Sequence, residues 1–282
     1  MIKVYGKALA GATVLPVARK LPGVSTPREL PQRELKREGV EVDREHLAAY
    51  DRVCGFRLRD ELPATYPHIV AFPLAMELMT DTSFPFPAIG LVHIANRIEL
   101  LRPLTAAEPF DLRVWAADLA DHEKGRQFEI KAEASVDGAP AWRSSSTYLH
   151  REKGGSNGKT SAQRESAEEP REGHAVWDVP GDIGRRYAAV SGDRNPIHMH
   201  PLSAKLFGMK TNIAHGMWTK ARCLAALEGE LPEPYTVEVR FKLPVFLPAK
   251  LAFDTYESEG TRHFHVRDAR KGKPHVEGQV TT

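Results

Sequence analysis

The sequence predicts an α+β chain made of two related units in tandem, each a helix followed by antiparallel strands. Three observations lead to that reading. A charged, Gly/Ser-rich stretch at 151–173, REKGGSNGKTSAQRESAEEPREG, divides the chain into two parts of domain size. Three segments of the first part match three of the second in the same order: Tyr50–Gly55 with Tyr187–Gly192, Ala71–Leu74 with Ala214–Met217, and 93–104 (HIANRIELLRPL) with 236–247 (TVEVRFKLPVFL). One such match is noise, whereas three in order argue for duplication. In the second part an apolar helical pattern gives way to segments that alternate apolar and polar residues, as half-buried strands do.

The second part can be read element by element. Ile183, Tyr187 and Val190 recur at helical spacing, and Gly192 suits the left-handed cap that ends the helix. Pro201 fits the first turn of a short helix ending near Gly208. A longer apolar helix starts near His215, with Met217, Ala221 and Leu224 on one face. Four extended segments follow: YTVEVRFKLPVFL, AKLAFDTYES, RHFHVRDA and HVEGQVTT. The boundaries this implies are an N-terminal extension at 1–37, a first unit at 38–152, a linker at 153–173 and a second unit at 174–282.

Composition narrows the classes. The chain of 282 residues is 41% hydrophobic and 27% charged, enough to bury a sizeable core. With 39 basic and 37 acidic residues there is no electrostatic footprint for a nucleic acid. No stretch reaches the ~20 apolar residues that span a bilayer. The N-terminal MIKVYGKALAGATVLPVARK is interrupted by Lys7 and Gly11 and is read as part of the fold rather than as a signal peptide. Cys54 and Cys223 sit in apolar helix-like contexts and are expected to be buried, reduced thiols of a cytoplasmic protein.

The chemistry concentrates in YAAVSGDRNPIHMHPLSAKLFG, 187–208. Asp193 and His198 are five apart and would not share the face of a continuous helix. Pro196 breaks that helix and pushes Asn195 towards extended geometry, so DRNP reads as a turn that can bring the carboxylate and the imidazole together. Such a pair can hold and activate a water. A capped turn with an exposed histidine is the other reading, and residue types leave both open. AHGM, 214–217, places Gly216 at a helix N-terminus, where an unpaired N–H backed by the helix dipole can polarise a carbonyl oxygen; an ordinary glycine near a cap fits the same letters. His198, His200 and His215 raise a metal reading, but no further Cys or His spacing supports a closed site, so no metal is expected.

Y-x-x-V-S-G-D-x-N-P-I-H followed by A-H-G-M closely resembles the MaoC-like, or hydratase 2, family of (R)-specific enoyl thioester hydratases. The resemblance is clear over about 180–255; the first part resembles a decayed copy, as in double hot-dog members of the mycobacterial type. It implies an α+β double hot-dog, in which two antiparallel sheets each wrap a central helix and pair as a pseudo-dimer. It implies catalysis by Asp193, His198 and Gly216, with Asn195, His215 and Lys205 binding substrate or positioning the loop. The implied reaction is reversible hydration of trans-2-enoyl thioesters to (R)-3-hydroxyacyl thioesters. It needs no cofactor beyond the coenzyme A or phosphopantetheine of the substrate, and the partners are acyl-CoA or an acyl carrier protein, with a homodimer as a possible assembly.

Aligned on Tyr50–Gly55, the first unit has Phe56 in place of Asp193 and Glu61 in place of His198; Pro73, with no N–H, stands in place of Gly216. One active site per chain is therefore expected. The apolar IVAFPLAMELM and FPFPAIG are read either as a tunnel for the acyl tail or as ordinary core. Lys205, Lys210, Lys220 and Arg222 are candidates for the coenzyme phosphates. Two other functions compete: a hot-dog thioesterase, for which Glu228 is the nearest downstream acid to Gly216, and a non-catalytic acyl-binding subunit of a larger dehydratase.

Overall fold

The computed structural model describes residues 27–152 and 175–282. The N-terminal stretch read as part of the fold and the linker at 153–173 lie outside the described residues. The first unit comprises β1 (Glu34–Val40), α1 (Arg44–Cys54), α2 (Tyr66–Met79), β2 (Val92–Leu100), β3 (Phe110–His122), β4 (Gly125–Val136) and β5 (Ala139–Arg151). The second comprises β6 (Ala175–Val179), α3 (Ile183–Ser191), α4 (Pro196–Met199), α5 (Pro201–Leu206), α6 (Gly216–Ala226), β7 (Tyr235–Phe241), β8 (Ala249–Ser258), β9 (Thr261–Asp268) and β10 (Pro274–Thr281). β1 begins at Glu34, so four residues assigned to an N-terminal extension belong to the sheet.

Local chemistry explains the helix ends. Asp43 caps α1 by accepting from the N–H groups of Glu45 and His46, and Gly55 ends it in the left-handed region. Gly192 ends α3 in the same way, at φ 75°. That places Tyr50 of α1 and its aligned counterpart Tyr187 of α3 in one buried cluster, their rings 6.2 Å apart.

The strand order is β1-β3-β4-β5-β2-β7-β10-β9-β8-β6. The first five strands repeat in the last five as a mirror-ordered copy, which is the topological mark of the duplication. The two expected sheets join edge to edge through an antiparallel β2–β7 pair into one sheet of ten strands, so neither inner edge is left open. Asn96 faces Val239 across that seam. These two are also matched in the aligned segments, so the pseudo-twofold axis runs between them.

Helices α1, α2 and α3 pack together, and hydrogen bonds at the helix layer tie the units across the boundary. His46 Nε2 donates to the Val190 carbonyl (2.8 Å), Trp218 Nε1 donates to the Val53 carbonyl (3.0 Å), and Glu228 accepts from the Arg57 N–H (3.0 Å). Pro73 lies inside α2, well past its start at Tyr66, so the first unit presents no helix N-terminus at the position aligned with Gly216. Cys54 and Cys223 are buried free thiols, pushed to higher pKa by burial.

Candidate active site

The 193–198 segment is built from two successive Asx turns. Asp193 Oδ1 accepts from the Asn195 N–H (3.1 Å), and Asn195 Oδ1 accepts from the Ile197 N–H (3.3 Å). The second turn caps α4, which Pro196 opens. The chain therefore reverses at Asn195 and returns His198 beneath Asp193. Gly184 of α3 makes that return possible: a Cβ there would stand 2.2 Å from the His198 carbonyl oxygen.

Asp193, His198 and His215 each offer a donor atom, all within 4.8 Å of one another. The sequence-predicted pair is thus brought together, with a third member. His198 is buried, and its Nδ1 lies 2.9 Å from the Ile213 carbonyl. A carbonyl only accepts, so Nδ1 carries the proton and Nε2 is left as an acceptor. Burial lowers the His198 pKa, against the opposing effects of Asp193 and the Ile213 carbonyl, which favours the neutral ring. His215 stacks on His198 with centroids 3.7 Å apart, and its Nε2 donates to the Asp193 carbonyl at 3.0 Å. Burial first, and then its neighbour His198, push His215 down to about 3, so it too stays neutral. Its hydrogen bond ties the start of α6 to the backbone of the 193–198 turn.

Gly216 begins α6, and its N–H has no backbone partner among the described residues. The glycine is also needed by packing, because a Cβ would meet the Phe241 ring at 2.9 Å. Asp193, Asn195 and Pro196 share a cavity of about 80 Å³ with Phe72, Met76 and Met79 of α2, Ala88, Ile89, Leu91 and Tyr148. This is the apolar run that the sequence left as tunnel or core; part of it faces the 193–198 turn from the other unit. Tyr148 carries no sequence signal as a site residue, since its strand alternation gives a face but not what that face meets. A wider hollow of about 560 Å³ lies over β2–β5 and β7 among ion-paired side chains such as Arg113, Glu133 and Arg143.

Several candidates fall elsewhere. His200 Nδ1 accepts from the Leu202 N–H as the cap of α5 and is exposed, apart from the Asp193, His198 and His215 group. Lys205 is exposed on α5 and Lys210 is exposed beyond it; neither lines the cavity. Lys220 is fully buried and gives all three of its N–H bonds to the Asn96 side chain and the carbonyls of Asn96 and Val237, which removes it from any phosphate site. Arg222 stacks over Trp177 at 4.7 Å. Glu228 lies past the C-terminal end of α6, ~15 Å from Gly216 along the axis, and is paired with Arg59 at 3.1 Å. The acid that a thioesterase would need beside Gly216 is therefore tied up at the far end of the helix.

A continuous antiparallel sheet with helices packed against it, and an Asp/His pair at a turn between two of them, is the arrangement that the resemblance to MaoC-like enzymes implies. The family model described as "MaoC like domain" matches residues 164–279. Over 263 residues the chain is 36% identical to 3-hydroxyacyl-thioester dehydratase X of Mycobacterium tuberculosis, covering 93% of this chain and 94% of the relative. The crystal structure of HtdX from that organism superposes with a TM-score of 0.78 at 36% identity, over 88% of this chain and 99% of that one. A MaoC-like dehydratase from Phytophthora capsici shares the fold at 20% identity, with a TM-score of 0.72 over 92% of this chain and 97% of that one. The chain belongs to the MaoC-like dehydratase family, and it is a hydro-lyase of the double hot-dog type.

Proposed function

We propose that the chain adds water to trans-2-enoyl thioesters, and removes it from (R)-3-hydroxyacyl thioesters, at Asp193 and His198. The observation that carries this reading is the convergence of a carboxylate and an acceptor imidazole nitrogen with His215, the residue that leads into α6, whose first N–H, at Gly216, has no backbone partner among the described residues. Two acceptors suit a water held through both of its hydrogens. As its oxygen bonds to C3, one hydrogen passes to Asp193, while His198 Nε2 keeps the other in place. The electron pair of the C2=C3 bond moves onto the thioester oxygen, where the Gly216 N–H accepts no proton but donates a hydrogen bond to the developing charge. Asp193 then returns its proton to C2 on the same face, so water adds in the syn sense. Asn195 and His215 hold the loop, and the acyl tail enters the cavity of Phe72, Met76 and Met79. The carrier is coenzyme A or the phosphopantetheine of a carrier protein.

The test follows enoyl absorbance as crotonyl-CoA is hydrated. Asp193→Asn and His198→Gln are each expected to cost about 10²–10⁴-fold in turnover. Three ligands with an open position also describe a catalytic zinc site, so the assay is run with and without chelator. Unchanged rates in both variants would end the assignment, and loss of activity to chelator alone would replace it with a metal-assisted one.

A further inference from the structure

Tyr148 of β5 comes from the unit that lacks the Asp/His pair, yet it shares a cavity with Asp193 and Asn195. Its ring is fixed by a row of three aromatic residues across adjacent strands. The register places His93 of β2 on one side of it and Phe128 of β4 on the other. Both pairs are parallel-stacked, His93 at 4.7 Å and 19°, Phe128 at 5.7 Å and 21°. Stacking on both faces leaves the ring little freedom, so its hydroxyl is held at a set position. That hydroxyl has no hydrogen bond among the described residues, and it is not one of their sealed, unpartnered polar atoms. Burial first, and the Asp193 charge second, raise the Tyr148 pKa, so the group remains a donor.

We propose that Tyr148 donates a hydrogen bond to the oxygen at C3 of the substrate, completing the site across the unit boundary. The inference rests on the hydratase reading above. Before addition, Asp193 and His198 accept the two hydrogens of the water that becomes this oxygen, while Tyr148 donates to the lone pair not used in bonding to C3; in the hydroxyacyl thioester His198 keeps the remaining hydrogen. The three together fix the oxygen's orientation, and Tyr148 distinguishes a 3-hydroxyacyl chain from a saturated one. The first unit is then more than a wall for the acyl tail: it supplies one of the polar groups that recognise the reacting carbon.

The experiment uses the full chain. Tyr148→Phe removes one oxygen and keeps the stack, and its melting temperature reports whether the fold is intact. In an Asp193→Asn background that slows turnover, the affinities of (R)-3-hydroxybutyryl-CoA and butyryl-CoA are compared with and without Tyr148→Phe. The expected result is roughly tenfold weaker binding of the hydroxyacyl ligand, with butyryl-CoA unchanged within about twofold, the size of one hydrogen bond. Equal weakening of both ligands, or none, assigns Tyr148 to the cavity wall and overturns the proposal. Absence of crotonyl-CoA hydration by the parent chain would instead overturn the hydratase reading and this inference with it.

Discussion

Gly184→Ala perturbs the site without touching substrate. The added methyl would stand 2.2 Å from the His198 carbonyl oxygen, so α3 and α4 must separate by about 1 Å to reach van der Waals contact. α3 cannot easily yield. Its Tyr187 and Val190 are buried, and its Val190 carbonyl is bonded to His46 of the other unit. The displacement therefore falls on α4, where it stretches the 2.9 Å bond from His198 to Ile213 that sets the imidazole's tautomer and aim. Overpacking of this kind costs about 1–3 kcal/mol. In a chain of this size that lowers the melting temperature by about 2–12 °C. A shift near 1 Å at a catalytic group costs about 10²-fold in kcat/KM. Crotonyl-CoA hydration is compared with thermal melting on the same preparation. A folded Gly184→Ala variant with near-parental kcat/KM would refute the claim that α3 positions His198.

Two further outcomes follow from buried charge. Burial, and then the nearby Glu228, raise the Asp51 carboxyl from 3.8 to about 7. The folded state therefore holds this proton more tightly than the unfolded one, and stability contributed below pH ~4 is lost as pH rises towards 7. Asp51→Asn is expected to melt a few degrees higher than the parent at pH 8 and about level with it at pH 4, as a pair of melting curves would show. Lys220→Met leaves the Asn96 side chain and the two carbonyls that Lys220 serves without their donor, and is expected to cost about 3 kcal/mol in urea denaturation. The same variant should keep the parental KM for acyl-CoA, since Lys220 lies at the sheet seam and not at a phosphate.

Much of the second unit was legible because its boundaries are chemical. Gly192 ends α3, Pro201 opens α5, and the alternation of AKLAFDTYES marks β8 from end to end. Asp193 and His198 could be paired because Pro196 forbids the helix that would separate them. What could not be read depends on contacts between distant elements. Lys220 read as a candidate for the coenzyme phosphates, since helical spacing puts Met217, Ala221 and Leu224 on one apolar face and leaves Lys220 beside it. In the fold α6 is wrapped by sheet and by the other unit, so its flank is buried as well. His200 and His215 could not be told apart by spacing alone: His200, in extended backbone, caps α5 at the surface, whereas His215 is buried against His198. Tyr148 stayed hidden because nothing in SSSTYLH tells which strand of one unit faces the catalytic turn of the other.

The central claim is that one water is held by Asp193 and His198 against a single face of the enoyl thioester. Hydrating crotonyl-CoA in D₂O and reading the product by proton NMR tests it most directly. The expected product carries an (R)-3-hydroxyl and a C2 deuteron delivered to the same face. An (S) product, or a deuteron on the opposite face, would contradict it.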